Sequence, residues 1–450
     1  NLSARQGRRL RQLIGTSPEA VVLHAWVDAE LVEGSSDLVC ALLPGTDLAD
    51  EEIWVLAHLS EPGARDNASG CCLSLELARV LGELTTSGRL PPLRRSIRFL
   101  HAVEVDGFLP YLHENQRRFP KILAGLCLDS VGQDFSRCGG QMVLFRSPEQ
   151  APSFVDALME TLFGVVAAIP ASRFGADSYA AFPWHTAPFW GNDAFISDGF
   201  FDIPTPQVSG WPDRYYHSSH DTPDQMSRAT LGRVGAAAGA YLYLLATAGA
   251  REARWFGILA AQDWKRRIAA AVTDGADAAM APHAPGADRL FALLHHLGLQ
   301  GCDAILQAGR FAPQDASLRK DLHALAKSVA NFAAQEGRET AALVTGALPQ
   351  EPAAPPHVEG EEMTARRLRW KAPAASVLSP GARDQVNALW GPEHGITNLA
   401  RLWGWIDGRR NAREIYQRLL HGGEIPLPEV VACLRLLAAE GVVALNPSGE

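Results

Sequence analysis

His58, Asp66, Glu104, Asp129 and His217 are the side chains of this sequence whose types and surroundings suit metal binding and proton transfer. His58 follows the apolar run Ile53–Ala57, and Asp66 stands across a loop from it, just ahead of Asn67-Ala68-Ser69-Gly70. An imidazole and a carboxylate flanking one loop can converge on a cation, while Asp66 or Asn67 could equally cap the helix that comes next. Glu104 and Asp129 sit at the ends of two further apolar stretches, Ser96–Val105 and Ile122–Asp129. His217 belongs to the polar and aromatic stretch Tyr215–Asp224, where His220 competes with it for the same role. Imidazole and carboxylate donors without thiolates are the set that a catalytic zinc with open positions uses. Cys127 lies in an apolar run with no histidine partner close in sequence, and reads as a buried hydrophobe rather than a nucleophile.

Such residues meet only if the elements carrying them converge. Ile53–Ala57, Ser96–Val105 and Ile122–Asp129 are apolar enough for buried parallel strands, whose tips lie about 4.8 Å apart. Helices predicted over Leu73–Leu81, Gly107–Gln116, Glu149–Val165 and Leu231–Ala248 would cover the sheet. Val21–Val32 and Asp37–Leu43 alternate in polarity and predict two antiparallel edge strands joined at Glu33–Ser36, after a helix over Ala4–Ile14 with basic residues on one face. Short strands are expected at Asp193–Ile196 and Thr205–Val208. The fold class is therefore α/β, a mixed and mostly parallel sheet flanked by helices, with the candidate ligands at the carboxyl ends of its strands. Trp184, Phe189, Trp190, Phe195, Phe200, Phe201 and Trp211 make the segment 184–211 a candidate pocket wall.

Beyond residue 250 the sequence predicts successive helices, broken near Pro282–Gly286, Gly298–Gly301 and Phe311–Asp315. Residues 348–397 begin with a proline-rich stretch and read as linker and connecting segment. Residues 398–450 carry two helices and a terminal strand in the order of a winged-helix module. That module balances its arginines with acidic residues, so it lacks the basic stripe of a DNA reader and is expected to bind protein instead. The whole chain has a net charge of −9 and 47% hydrophobic residues, which argues against coating nucleic acid or anionic membranes. Seven cysteines without paired spacing fit a reducing, cytoplasmic setting, and no apolar run is long enough to predict a membrane span. Because the sequence starts at Asn1, a leader removed ahead of it stays open.

The order AHLS…DNASG, then Glu104, then LDSVG, then YYHSSHDTPD resembles the co-catalytic zinc aminopeptidases of peptidase clan MH, whose relatives include carboxypeptidases and glutaminyl cyclases. The resemblance runs over roughly residues 20–250, which makes residues 1–250 the expected catalytic domain and 251–347 a helical region. The later winged helix resembles a branch of that superfamily. The resemblance implies that His58 and Asp129 bind one zinc, that Asp66 bridges two, that His217 binds the second, and that Glu104 is the general base. Asp221 would orient His217. Two departures stand out: Val105 replaces a glutamate that binds the second metal, and Ser60 replaces an aspartate that orients the histidine. The implied cofactor is thus one or two zinc ions, with Asp106 or water completing the second position and Ser60 a weak substitute for the aspartate. Glu104, Asp193 and Asp198 are the candidates to receive a substrate α-amine, and Trp190 and Trp211 to line its pocket. Hydrolysis of small peptides or amides is the implied activity. A cyclase-type acyl transfer and a non-catalytic binding protein are the alternatives, with a homo-oligomer as a possible assembly.

Overall fold

The apolar run Ile53–Ala57 is the buried middle of a longer strand. In the computed structural model, which describes residues 2–169, 182–279, 287–345, 356–374, 378–391, 393–422 and 425–446, seven strands form one sheet. They are β1 (Val39–Leu43), β2 (Leu48–Leu59), β3 (Arg95–Val103), β4 (Ile122–Leu128), β5 (Gln141–Phe145), β6 (Trp184–Ala187) and β7 (Gln207–Trp211), in the order β1-β3-β2-β4-β7-β5-β6. Only β1 with β3 and β5 with β7 run antiparallel.

Residues Asn1–Ser36 form a unit of their own. In it α1 (Ala4–Thr16) is closed at its start by a capping box between Ser3 and Gln6 and buries no residue. The strand expected over Val21–Val32 is absent: those residues have no regular structure, and Val22, Trp26, Val27 and Leu31 are exposed. Alternating polarity describes a strand's two faces, but a strand exists only where a neighbour accepts its ladder.

In β2 alternation sorts side chains onto two different cores. Ile53 and Val55 join the core that contains Leu73, Leu77 and Leu81 of α2 (Ala68–Thr86), whereas Trp54 and Leu56 join one with Phe108 and Leu112 of α3 (Phe108–Glu114). Strand β2 is therefore apolar throughout because both of its faces are covered. The connection β2-α2-β3 and the connection β3-α3-β4 lie on opposite faces and leave β2 between β3 and β4, which opens a crevice at the carboxyl ends of these strands. Register sets what meets there. Leu59 pairs with Val103, so Glu104 follows directly past it, and Leu56 pairs with Cys127, so His58 and Asp129 come level two residues later.

After the one-turn α4 (Phe135–Cys138), helices α5 (Phe154–Ala168) and α6 (Arg228–Thr247) complete the layer on the α2 face. The expected strand at Asp193–Ile196 is instead a 3-10 turn, Asp193–Ser197, begun by the Asn192 side chain. The later helices are α7 (Ala250–Ala279), α8 (Ala287–Leu306) and α9 (Ala316–Thr345). The break expected at Gly298–Gly301 does not occur; α8 continues through both glycines because they face Ala333, Val329 and Trp264 at close range, where a side chain would collide. Buried Arg95 ties this region to the sheet by donating to the backbone oxygens of Ala248 (2.6 Å) and Phe311 (3.1 Å). Residues 348–355 of the expected linker lie outside the described residues.

The C-terminal part contains β8 (Thr364–Arg367), α10 (Pro380–Trp390), α11 (Gly395–Trp405), α12 (Ala412–Leu419), α13 (Leu427–Ala439) and β9 (Val443–Asn446), with β8 and β9 paired antiparallel. It has its own core, which includes Ala382, Val386, Leu402, Trp403, Ile415 and Leu434. It also reaches the sheet: Trp370 lies 4.4 Å from Phe195 and 5.8 Å from Phe201, ring centre to ring centre, in the α3-face core.

Candidate metal centre

At the end of β2, His58 is buried and its two ring nitrogens face different surroundings. Nδ1 lies 2.9 Å from Asp193 Oδ2, and since a carboxylate only accepts, the Nδ1 proton is directed there. Nε2 then faces Glu61 Oε2 at 3.2 Å and Asp66 Oδ1 at 3.3 Å. On the other side of the same two carboxylates, His217 Nε2 lies 3.2 Å from Glu61 Oε1 and 3.3 Å from Asp66 Oδ2. Each carboxylate thus gives one oxygen to each imidazole. Two ligands on one tetrahedral zinc are about 3.3 Å apart, given Zn–N and Zn–O bonds of about 2.0–2.2 Å. The four spacings fit that geometry.

Other acidic groups complete the cluster. Asp129 converges with His58 and Asp66, and Glu104 with His58 and Glu61, each set with ligand atoms within 4.8 Å of one another. Crowding leaves its mark on acidity. Burial and the neighbouring Asp66 push Asp129 up to about 7. Burial, then the same Asp66, raises Glu61, while burial raises Glu104. Burial alone would lower His58, but Asp193 and Asp66 outweigh it and raise that imidazole to about 12. Asp66 is held down at about 2, because the His58 hydrogen bond overcomes its burial. These opposed shifts follow from several carboxylates and two imidazoles lying close together in a partly buried place.

The surroundings hold these groups in place. Asp221 accepts from the backbone N–H groups of Arg65 (2.8 Å) and Asp66 (3.0 Å), which fixes the loop rather than orienting the His217 ring. Gly63 is required there, since a Cβ at that position would lie 2.2 Å from Asp221 Oδ2. Asn67 caps α2 through Gly70 N and also accepts from Ser130 N, so the capping function and the cluster belong to neighbouring residues. Asn192 and Gln207 donate to Asp129 Oδ2 at 2.8 and 3.2 Å. His217 sits at φ +51° with its ring stacked on Tyr216 at 3.8 Å, and Trp211 packs edge-on against Tyr216.

Several expectations change. Ser60 is exposed and does not orient His58; fully buried Asp193 does, while its other oxygen accepts from Val105 N at 2.8 Å. Asp193 is thereby closed to a substrate amine, and so is Asp198, which pairs with Arg367. Asp106 is exposed and joins no cation-binding group among the described residues. His220 joins none either, whereas His217 does. Phe195 and Phe201 are core residues, Phe200 packs against the same core and Trp184 against the other, and Phe189 is half-buried, so the exposed members of the expected pocket wall are Trp190 and Trp211. Cys127 is fully buried. The residue that sequence reasoning missed is Glu61. Its signal was modest: a carboxylate in the loop between two candidate ligands, three positions after His58.

Residues 15–106 match the family model described as Peptidase family M28, a span that includes His58, Asp66 and Glu104 and ends before Asp129 and His217. This match supports the resemblance to the zinc aminopeptidase and glutaminyl cyclase superfamily. No curated protein matches the chain. Among solved structures it is similar to an aminopeptidase from Aneurinibacillus sp. strain AM-1, at 22% identity over 47% of this chain and 48% of that one, with a TM-score of 0.36. It is also similar to the Legionella pneumophila LapA aminopeptidase (20% identity, 47% and 55% covered, TM-score 0.36) and to an Acidobacteriales bacterium glutaminyl cyclase (18%, 47% and 74%, TM-score 0.35). The chain spans about half the length of the two aminopeptidase structures.

Proposed function

We propose that this chain is a zinc-dependent hydrolase of small peptides or amides, with Glu104 as its general base. The observation that carries the reading is the sharing of Glu61 and Asp66 between His58 and His217, which supports two adjacent metal positions rather than one. His58, Asp66, Glu61 and Asp129 would hold the first, and His217 with the second oxygens of Asp66 and Glu61 the other. Glu61 then supplies the carboxylate that Val105 cannot. Bound zinc would lower the pKa of a coordinated water to about 7 and polarise the scissile carbonyl.

The chain's own residues supply the rest. Glu104 takes the water proton as the oxygen attacks the carbonyl carbon, and delivers that proton to the amine nitrogen as the C–N bond breaks. Partial burial suits it to this exchange, since a carboxylate raised above its ordinary range is the better proton donor in the second half. Asp193 keeps His58 in one tautomer throughout. Trp190 and Trp211 offer apolar surface to the substrate side chain.

The arginines of the C-terminal part support a protein-packing role rather than nucleic-acid binding: Arg409, Arg410, Arg413 and Arg418 pair with Asp202, Asp303 and Glu361. We read that part as a winged-helix-like module and the setting as cytoplasmic. No described helix is long and apolar enough to cross a membrane.

The test is turnover of aminoacyl amides, dipeptides and glutaminyl peptides by the zinc-loaded chain, with zinc counted for wild type and Glu61→Gln. Released amine with water incorporated supports hydrolysis, and a cyclised product without it moves the assignment to acyl transfer. Loss of one zinc in Glu61→Gln is the expected result. No turnover of any of these by a zinc-loaded chain would turn the reading toward a binding protein.

A further inference from the structure

A second convergence of histidine and carboxylate lies far from the strand ends. Glu149 comes from the turn after β5, His296 from the middle of α8 and His421 from just past α12. Their ligand atoms meet: Glu149 Oε1 lies 2.9 Å from His296 Nε2 and 2.9 Å from His421 Nε2, and the two imidazoles stack at 3.8 Å. Three parts of the chain that are remote in sequence each give one side chain to this point.

The hydrogen bonds around the two rings differ. His421 Nδ1 lies 3.0 Å from the Arg418 backbone oxygen, which can only accept, so Nδ1 carries the proton. In the neutral ring Nε2 is therefore a lone pair facing a carboxylate oxygen. His296 is buried, with its side chain 2% exposed, and neither of its ring nitrogens has a hydrogen-bonding partner of acceptable geometry. Two imidazole nitrogens and a carboxylate oxygen converging on one point form a donor set that a cation can occupy. The backbone around the site is fastened as well. Gln300 of α8 donates to Glu149 O at 2.9 Å, Arg410 donates to Gln150 O at 3.2 Å, and Trp405 stands edge-on to His296.

We propose that Glu149, His296 and His421 bind a divalent transition metal, zinc or a close relative, which clasps the helical region and the C-terminal part to the turn after β5. Two imidazoles and a carboxylate select such an ion over calcium or magnesium, which prefer all-oxygen shells. The Nδ1–H bond from His421 to a backbone carbonyl is the support that metal-ligating histidines typically have. To admit zinc, the 2.9 Å spacings open by about 0.4 Å, toward the separation of two ligands on a tetrahedral ion. Glu149, partly exposed at the rim, has room to make that movement. Water completes the shell from the open side.

The test removes the strand-end centre from the count. In full-length chain carrying Asp66→Asn, Zn2+ and Co2+ binding are compared with and without His421→Ala, and separately with and without Glu149→Gln. The expected result is a loss of one metal per chain with either second substitution, together with loss of a cobalt absorption band typical of imidazole ligands. In the otherwise wild-type chain, added Zn2+ should raise Tm, and His421→Ala should lower that rise while leaving hydrolysis unchanged. Glu149→Gln alters an exposed side chain and keeps the fold, so it decides the matter if the histidine variant is poorly folded. Equal metal content with and without these substitutions overturns the proposal. Because the comparison is made within the Asp66→Asn background, it does not depend on how the strand-end centre behaves.

Discussion

The two ends of β2 hold similar charges and solve them differently. At its start, buried Glu52 is met by the guanidinium groups of Arg98 and Arg118 and by the indole N–H of Trp54. At its finish, Glu61, Asp66, Glu104, Asp129 and Asp193 crowd around two imidazoles, and buried Arg65, next to Asp66 in sequence, is paired with Asp213. The first end is neutralised by the protein itself. The second has no guanidinium among the described residues to pair these carboxylates, which is the electrostatic difference between a structural ion pair and the metal centre proposed above. Acidities report the same contrast: burial would raise Glu52, yet Arg98, Trp54 and Arg118 bring it below its ordinary value, whereas Asp129 is driven up to about 7.

Substitutions at the two ends should therefore differ in kind. Asp66→Asn removes the more buried of the two carboxylates that both imidazoles face, and turnover and zinc content at the centre should both be lost; retained zinc would dissolve the contrast. Glu104→Gln should lower kcat by about 10^2–10^4-fold, the usual worth of a general base, with zinc content unchanged. Asp193→Asn should weaken zinc affinity by about 10–100-fold, since it only supports a ligand, and a titration against a chelator reads this directly. Glu52→Gln should leave activity alone and cost about 1–3 kcal/mol in denaturant unfolding, the loss of charged hydrogen bonds at a buried group.

That last cost has a pH signature. Glu52 is lowered in the folded state, so its carboxylate stabilises the fold above the unfolded value near 4.5 and loses that contribution as pH falls toward the folded one. Unfolding curves of wild type and Glu52→Gln should converge in acid and separate above about pH 5. Curves that stay parallel throughout would mean that the arginines at this end do not hold Glu52 as described.

Sequence made the middle of the sheet readable because β2, β3 and β4 are buried on both faces and so carry unbroken apolar runs. His58 and Asp129 could be named as candidates from strand ends and Asp66 from the loop beside them, whereas His217 is separable from His220 only through the family resemblance. Glu61 and the orienting role of Asp193 could not, since both depend on how loops fold back onto His58. The strands β5 and β6 lack such a signal for a related reason: each is short, and the pairing of β5 with β7 and of β6 with β5 is decided by tertiary contact. The strand expected over Val21–Val32 failed in the opposite way, with a clear pattern and no partner in the ladder. Glu149, His296 and His421 carry no local signal at all, because only the packing of three remote segments makes them neighbours.

Trp370 limits how far this protein can be cut into parts. Its ring fills a place among Phe195 and Phe201, directly beneath the turn that begins with Asp193. A fragment that stops after α6 would keep every residue of the strand-end centre and still open an aromatic hole under the support of His58. The smallest portable version of the centre extends past residue 370, so its inheritance, exchange between proteins or transfer to another scaffold has to carry the tail along with the sheet.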